Sequence, residues 1–280
     1  MLIFSAVTPH PPILIPAIGQ DSLEQIKKTQ QAMQELASDF YAAQPESLII
    51  ISPHGELLEN AFTINTAPEF KGSFKQFGDM ETLLELKGDV SLSYQIKEAL
   101  ETKLPIQMVC QPELDHGVSV PLYYLTQNFL TRLSRLPTAS DQLSDKKNLK
   151  IIPLGYCSQD YKTHFKLGQQ LSEIIHSSEK RIAVVASGDL SHRLTKNAPA
   201  GYSALGKKFD RQLIEMIKQR DFEGVINMDQ SLVEQAAECG LRSIIILLGV
   251  LAGRNCTPQI LSYEHPFGVG YLVCNFELNR

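Results

Sequence analysis

Short apolar runs alternate along the chain with segments in which apolar residues recur every three or four positions. An unbroken apolar run is typical of a strand buried on both faces, and the wider spacing is typical of a helix with one face on a core. The runs predict strands at residues 2–7, 47–52, 62–66, 106–110, 149–154, 181–187, 259–263 and 270–276. The helical spacing predicts helices at residues 21–42, 90–104, 118–130, 161–177, 202–220 and 241–251, and a short helix between Asp229 and Gly240.

This alternation of strands and helices predicts an α/β protein with three layers, α/β/α. Its central sheet is expected to be mixed or mostly parallel, with helices on both faces. Residues around 72–78 and residues 138–147 are polar or contain glycine, and they are predicted to be loops. No internal repeat, low-complexity segment or interdomain linker interrupts the pattern. The sequence therefore predicts a single domain over residues 1–280.

Composition and charge narrow the classes of function. The 280 residues are 43% hydrophobic, and the net charge of −5 is spread without long runs, so neither nucleic-acid nor anionic-membrane binding is indicated. The five cysteines form no CxxC pair and their number is odd, which favours a reducing, cytoplasmic location. No basic residue precedes Lys27, and the longest apolar stretch, residues 244–252, is short. Neither a secretory signal nor a membrane span is expected.

Three of the seven histidines come shortly after predicted strands. His10 lies in a proline-rich segment, where the flanking rings hold the backbone extended. His54 follows the second predicted strand, and His192 follows the sixth, with Asp189 between the strand and the histidine. Because the carboxyl ends of parallel strands meet at one crevice, these three imidazoles and the carboxylate are expected to converge there.

Such a cluster suits several kinds of chemistry. Two histidines and one carboxylate bind Fe(II) or catalytic zinc with positions left open, and a further histidine serves as general acid or base. A Ser-His-Asp arrangement is also open, because Ser52, Ser187 and Ser191 each lie near a histidine, although no GxSxG segment is present. No GxGxxG or Walker segment indicates a nucleotide cofactor.

The same residues also have a purely structural interpretation. The histidines after the strands are then loop side chains, and the aspartates beside them cap helices or turns. Glu238 is typical of a solvated glutamate, and Cys239 is typical of a small buried apolar residue. His164 and His176 fall on an amphipathic helix and are predicted to be exposed. His265 lies in a loop before the last strand and has no assigned role.

Six segments in chain order carry a resemblance to a known family. They are Pro9-His10-Pro11-Pro12, Ser52-Pro53-His54-Gly55, Leu114-Asp115-His116-Gly117, Ser187-Gly188-Asp189-Leu190-Ser191-His192, Glu238-Cys239-Gly240-Leu241-Arg242-Ser243 and Pro266-Phe267-Gly268-Val269-Gly270-Tyr271. With these segments the chain resembles the class III extradiol ring-cleavage dioxygenases of the LigB superfamily. It is most similar to the dioxygenase-like domain of AmmeMemoRadiSam system protein A, to which Memo-like proteins are related.

The resemblance implies a non-haem metal site. It implies that Fe(II), with zinc as the alternative metal, is held by His10, His54 and Glu238. It also implies that His192 is the acid/base on a substrate hydroxyl and that His116 lies near the substrate and oxygen. The implied reaction is cleavage of a small, catechol-type aromatic ring with O2.

Other roles follow from the same resemblance. The resemblance places Asp189 among the catalytic residues. Asp189 and Asp115 both look like partners that orient the imidazoles, since metal-bound and catalytic histidines need a partner for the second ring nitrogen. The alternative function is a Memo-like protein that binds a metal or a partner without ring cleavage. Its partner would be an AMMECR1-like or radical-SAM protein of an AmmeMemoRadiSam system. A zinc hydrolase with the same ligands and a homo-oligomer are left open.

Overall fold

The computed structural model describes residues 1–133 and 149–279, so the predicted loop at residues 138–147 lies outside the described residues. The strands are β1 Leu2–Thr8, β2 Ser47–Ser52, β3 Phe62–Asn65, β4 Glu69–Phe74, β5 Asp79–Gly88, β6 Ile106–Val109, β7 Glu113–Leu114, β8 Lys150–Gly155, β9 Ile182–Ser187, β10 Cys256–Glu264 and β11 Tyr271–Leu278. The α-helices are α1 Pro16–Gly19, α2 Lys27–Ala43, α3 Val90–Leu100, α4 His116–Leu133, α5 Tyr161–Ser177, α6 Ala204–Gln219, α7 Phe222–Ile226, α8 Gln230–Ala236 and α9 Leu241–Leu251. Short 3-10 helices cover Pro12–Leu14, Gln20–Ile26 and Lys75–Phe77.

Four parallel strands form the centre of the sheet, in the order β1, β9, β2, β8. Beyond β1 the sheet continues through the antiparallel strands β11 and β10. Beyond β8 it continues through β5, β4 and β7, and β3 pairs with both β8 and β6. The predicted α/β class, with helices around a mixed and centrally parallel sheet, is confirmed.

Both faces of the central strands are buried, which accounts for the unbroken apolar runs in the sequence. On β2, Ile49 and Ile51 contribute to a core with α5, α6 and α9. Leu48 and Ile50 contribute to a second core with α2 and α4. Since neither face meets water, no polar alternation is required along these strands. Among the described helices, none combines the length and the apolar character that a bilayer crossing requires.

The outer part of the sheet departs from the prediction. Residues 72–78, predicted to be a loop, belong to β4, to a 3-10 turn and to the glycine that leads into β5. β4 and β5 form an antiparallel hairpin. Along β4 only alternate residues are buried, with Phe70 and Phe74 on either side of Gly72. A polar strand with glycine at its centre lacks the apolar run that marks the central strands, so local pattern did not reveal it.

Two glycines allow α5 and α9 to pack in direct backbone contact. A Cβ atom on Gly168 would lie 2.0 Å from the carbonyl oxygen of Ile246 and 2.8 Å from the Cα atom of Gly249. A Cβ atom on Gly249 would lie 2.3 Å from the carbonyl oxygen of Phe165. Backbone atoms cannot swing aside as a flexible side chain can, so this helix pair requires glycine at both positions.

Gly168→Ala is therefore expected to lower the free energy of unfolding by about 2 kcal/mol, since overpacking costs about 1–3 kcal/mol. At an unhindered helix position the same change would stabilise the protein by up to about 1 kcal/mol. A decrease in the free energy of unfolding therefore indicates the close contact, and an increase indicates free space at Gly168. Urea unfolding followed by circular dichroism measures the effect. Lys166→Ala, at an exposed position of the same helix, is the control. A Gly168→Ala protein as stable as the wild type would contradict the close contact.

The prediction that His164 is exposed is wrong. The side chain is fully buried, whereas His176 on the same helix is exposed, as predicted. The ring packs edge-on against Phe62, with centroids 5.0 Å apart. Its Nδ1 atom lies 2.7 Å from the carbonyl oxygen of Asp160, and Nε2 lies 3.1 Å from that of Cys157. Burial outweighs these contacts and lowers the pKa of His164 to about 4.

His164 is expected to make the stability depend on pH. The unfolded chain takes up this proton below about pH 6.5, and the folded protein takes it up only near a pKa of about 4. Between these values the unfolded state binds more protons, so the free energy of unfolding falls as the pH falls, by up to about 1.4 kcal/mol per pH unit. In unfolding titrations His164→Gln should flatten this slope, and His176→Gln should leave it unchanged. Equal slopes in the wild type and His164→Gln would contradict the assignment.

Candidate metal centre

His10 is held at the end of β1 by the neighbouring strand β9. Thr8 and Ser187, the last residues of the two strands, are in register. The backbone N–H of Gly188 donates to the carbonyl oxygen of Thr8 at 3.0 Å. The backbone N–H of His10 donates to Oδ1 of Asp189, also at 3.0 Å. The predicted convergence of the segments after these two strands is therefore observed, and His10 is only 2% exposed.

A hydrogen-bond chain sets the tautomer of His10. Its Nδ1 atom lies 2.9 Å from Oγ of Ser187, and that hydroxyl donates its hydrogen to the carbonyl oxygen of Gly117. A serine hydroxyl has one hydrogen, so in the contact with His10 the serine oxygen accepts and Nδ1 donates. The lone pair of the neutral ring is then on Nε2, which points away from Ser187 toward the other imidazoles.

His54 faces His10 across the crevice. The two Nε2 atoms lie 3.0 Å apart. The backbone N–H of His54 donates to Oγ of Ser52 at 3.2 Å, and the Ser52 hydroxyl donates to Oδ1 of Asp115 at 2.6 Å. The same carboxylate accepts the backbone N–H of Val118 at 3.2 Å. Asp115 thus caps the first turn of α4 and also fixes the loop that carries His54.

His116 begins α4 and stacks on His54. The ring centroids lie 4.3 Å apart and the rings are inclined by 20°. Phe77, from the turn between β4 and β5, packs edge-on against His116 with ring centroids 5.5 Å apart. Burial lowers the pKa of both His54 and His116, while the Asp115 carboxylate acts in the opposite direction. Both rings are therefore neutral near pH 7.

Cys239 supplies a third donor close to the two facing imidazoles. The potential ligand atoms of His10, His54 and Cys239 all lie within 4.8 Å of one another, and Sγ is 3.6 Å from Nε2 of His10. The approach depends on glycine: a Cβ atom on Gly188 would lie 2.1 Å from the Cα atom of Gly240. The sequence favoured a small buried apolar role for Cys239, and no local signal indicated its position beside the imidazoles.

Glu238, the predicted carboxylate ligand, lies at the start of α9. Its Oε2 atom accepts the backbone N–H of Leu241 at 2.5 Å, as a helix-capping carboxylate does. Burial raises the pKa of Glu238 to about 7, while the Leu241 N–H and the Arg242 guanidinium act in the opposite direction. Among the described residues, the donors that lie within 4.8 Å of one another are those of His10, His54 and Cys239, and Glu238 is not in that group. Its role as a metal ligand stays a prediction.

His192 approaches the cluster from the loop after β9. Its Nδ1 atom lies 2.7 Å from the carbonyl oxygen of Ala237. A carbonyl only accepts, so Nδ1 carries the hydrogen and Nε2 carries the lone pair. Burial lowers the pKa of His192, although the Ala237 carbonyl opposes the shift, and His54 lowers it further. His192 is therefore a neutral imidazole with a proton-accepting nitrogen.

Asp189 is buried against His10. Its Oδ2 atom lies 4.0 Å from Nε2 of His10, while Oδ1 accepts the His10 backbone N–H. Burial raises the pKa of the Asp189 carboxyl to about 7, and the His10 N–H acts in the opposite direction. Asp189 thus orients the His10 backbone. The residue that bonds the second ring nitrogen of His10 is Ser187, whereas the sequence had suggested an aspartate for such a role.

A cleft of about 840 Å³ opens beside the imidazoles. His54 and His116 are among the residues that line it. Its walls come from the segment after β2, from β3, β6, β7 and β8, and from the turn between β4 and β5. The volume lies within the range of small-molecule sites, which is about 300–1,000 Å³. A ligand in this cleft would contact the two stacked imidazoles directly.

The donor set fits a divalent transition metal. With metal–nitrogen bonds of about 2.1 Å, two ligands on one ion lie about 3 Å apart, which is the spacing of the two Nε2 atoms. Burial, reinforced by the other imidazoles, lowers the pKa of His10 well below its usual value, so this nitrogen is unprotonated and available. Imidazole and thiolate suit zinc and copper, and imidazole with carboxylate suits non-haem iron.

The family of the chain is shown by its match to a known model. Residues 5–274 match the family described as the catalytic LigB subunit of aromatic ring-opening dioxygenase. The chain belongs to the LigB family. The resemblance carried by the six sequence segments is therefore confirmed at the level of the family.

Relatives of this LigB-family chain carry different kinds of name. It is 33% identical over 279 residues to protein CA_C1420 of Clostridium acetobutylicum, covering 96% of this chain and 56% of that protein. It is 25% identical to 3,4-dihydroxyphenylacetate 2,3-dioxygenase of Escherichia coli, over 74% of each protein. It is 24% identical to MEMO1 family protein MJ0403 of Methanocaldococcus jannaschii, over 73% of this chain and 65% of that protein. The chain thus spans little more than half the length of the Clostridium relative.

A solved structure shares the fold of this LigB-family chain. The crystal structure of uncharacterized protein JW3007 from Escherichia coli K12 matches with a TM-score of 0.64, over 98% of this chain and 99% of that chain. The sequence identity is 13%, so this likeness concerns the fold alone.

Ser187→Ala is expected to weaken metal binding about 10- to 100-fold, because the partner that fixes the tautomer of a metal-binding histidine is lost. Chelator competition with Zn(II), and anaerobically with Fe(II), measures the affinity. Ser5→Ala is a matched control, since Ser5 is a buried serine of β1 whose hydroxyl has no hydrogen-bond partner within the described part of the chain. Equal affinities of Ser187→Ala and Ser5→Ala for both metals would refute the role of Ser187.

Proposed function

We propose that this LigB-family chain is an Fe(II)-dependent dioxygenase that opens a catechol-type aromatic ring with O2. The observation that carries the proposal is the cluster of His10, His54, His116 and His192, of which His54 and His116 line a cleft of about 840 Å³. His10 and His54 face each other at the spacing of two ligands on one metal ion. In His192 the Nδ1 atom bonds the Ala237 carbonyl, which leaves Nε2 to accept a proton. The name of the family and that of the Escherichia coli relative support the reaction class.

The metal would be held by His10 and His54, with Glu238 as the carboxylate of a two-histidine, one-carboxylate set. Fe(II), when bound, supplies the redox chemistry that allows a catechol to react with O2. Ser187 keeps the lone pair of His10 directed at the metal position. Asp115 keeps the His54 loop in place through Ser52.

His192 is the proposed acid/base. Its Nε2 atom accepts a proton from a substrate hydroxyl while Nδ1 stays bonded to the Ala237 carbonyl. Burial lowers the pKa of His192, so the ring is neutral and ready to accept at pH 7, and it returns the proton to the opened product. Overall, one carbon–carbon bond beside the diol is broken, both atoms of O2 enter the product, and no external reductant is consumed.

His116 and Phe77 shape the place for the aromatic ring. His116 stacks on His54 and contacts Phe77, and all three side chains line the cleft. Flat π-surfaces favour an aromatic ligand in offset or edge-to-face contact. His116 is therefore proposed to contact the substrate beside the metal, as the resemblance implies.

A second candidate function is a Memo-like metal- or partner-binding protein without ring cleavage. The observation that favours it is Cys239, because the donor found closest to the two facing imidazoles is a thiol rather than a carboxylate. A thiolate with two imidazoles is a donor set that suits zinc or copper better than an iron dioxygenase. The MEMO1-family names of two relatives support the same alternative.

His192→Gln is expected to reduce catechol-dependent O2 consumption about 10²- to 10⁴-fold, which is the usual contribution of a general acid/base, while iron content is retained. The protein is loaded anaerobically with Fe(II), and O2 uptake and ring-opened product are then measured with a panel of catechols. The matched control is His176→Gln, because this histidine is exposed on α5 and lies outside the cleft.

The ligand variants separate the two candidates. If the protein is an iron dioxygenase, Glu238→Gln loses iron and turnover, and Cys239→Ala keeps both. If Cys239→Ala loses the metal, Glu238→Gln keeps it, and no catechol supports O2 uptake, the ring-opening proposal is refuted and the metal-binding alternative stands.

A further inference from the structure

We infer that the cleft selects catechols whose side chain is cationic and discriminates against those whose side chain carries a carboxylate. This inference rests on the proposed ring-opening function and specifies its substrate class. It follows from the charges on the cleft walls, from their freedom to bind a ligand and from the size of the cleft.

The cleft has a negative lining. Three acidic residues line it, Glu56, Glu113 and Asp115, and no lysine or arginine is among the described residues that do so. Charges of one sign along a cleft with low-dielectric walls reinforce one another, so the part of a ligand that lies against these walls, away from the metal position, meets a negative potential.

Two of the three carboxylates are free to bind a ligand. Asp115 is occupied by Ser52 and by the N-terminus of α4. Glu56 and Glu113 are exposed, and within the described ranges neither has an ion-pair partner. Glu56 lies two residues after His54, and Glu113 lies three residues before His116. Each of these two glutamates therefore belongs to a segment that also carries one of the imidazoles lining the cleft.

The wall that carries Glu113 is braced by Asn65. The side-chain amide of Asn65 donates to the carbonyl oxygen of Gln111 at 2.8 Å, and its oxygen accepts the Gln111 N–H at 3.1 Å. This pair of bonds ties β3 to the segment that leads into β7. Gln111 itself also lines the cleft.

The cleft is larger than one aromatic ring requires. Its volume of about 840 Å³ lies near the upper end of small-molecule sites. A catechol placed with its hydroxyls at the imidazoles leaves space for a side chain directed toward Glu56 and Glu113. An ammonium group there gains favourable charge interactions with both carboxylates. A carboxylate there, as in the substrate named for the Escherichia coli relative, meets only like charge.

The test compares three catechols that differ chiefly in side-chain charge: 3,4-dihydroxyphenethylamine, 3,4-dihydroxyphenylethanol and 3,4-dihydroxyphenylacetate. Anaerobic calorimetry with the Fe(II)-loaded protein measures binding, and O2 uptake on the same samples measures turnover. The amine is expected to bind at least about tenfold more tightly than the carboxylate, with the alcohol between them, since each exposed charge contact contributes only a few-fold. The preference should shrink at high salt, because exposed charges are screened.

The variants locate the source of the preference. Glu56→Gln and Glu113→Gln should each reduce the amine-to-carboxylate ratio, and the double variant should bring it close to one. Glu173→Gln, at an exposed position of α5, removes the same charge away from the cleft and should leave the ratio unchanged.

Each outcome bears on a different claim. Binding of the carboxylate as tight as that of the amine, an unchanged ratio in the double variant, or no binding of any of the three compounds overturns the inference. Turnover of all three compounds at equal efficiency also overturns it and leaves the ring-opening proposal intact. A charge-selective binding without O2 uptake supports the cleft preference and refutes ring opening.

Discussion

The hydrogen-bond chain from His10 through Ser187 to Gly117 is the interaction on which the geometry of the site depends. It joins the loop after β1, the end of β9 and the start of α4. Because the serine hydroxyl has a single hydrogen, the direction of one bond determines the direction of the next. The lone pair of His10 consequently faces His54 and Cys239, and parallel pairing of the two strands brings Ser187 within reach.

The central strands and the histidines that follow them could be predicted from the sequence, because both leave a pattern within a short segment of the chain. Strands buried on both faces leave apolar runs, and histidines placed just beyond such runs must reach the same edge of a parallel sheet. His10, His54 and His192 were found in this way, and α5 and α9 were predicted to the residue. Asp115, expected to cap a helix, does so, and it bonds the Ser52 hydroxyl rather than an imidazole nitrogen.

Features that depend on distant contacts were not visible in the sequence. Cys239 reaches His10 because Gly188 and Gly240 allow two loops to touch, and no spacing along the chain encodes that meeting. His164 was assigned to the wrong face because helical spacing shows which residues share a side, not what packs against it. The hairpin of β4 and β5 is stabilised by pairing rather than by an apolar run, so its sequence resembles a loop.

The candidate metal donors and most of the cleft walls belong to different parts of the sheet, although His54 belongs to both. The facing imidazoles come from loops after the central strands β1 and β2, whereas much of the cleft is built by β3, β6, β7 and the turn after β4. Changes in these outer segments can alter what the cleft accepts while the donors keep their positions. A lineage with this architecture can diversify its ligands without rebuilding its reactive centre. That separation offers a physical basis for the coexistence, among relatives of one family, of names as different as a dioxygenase and a MEMO1 protein.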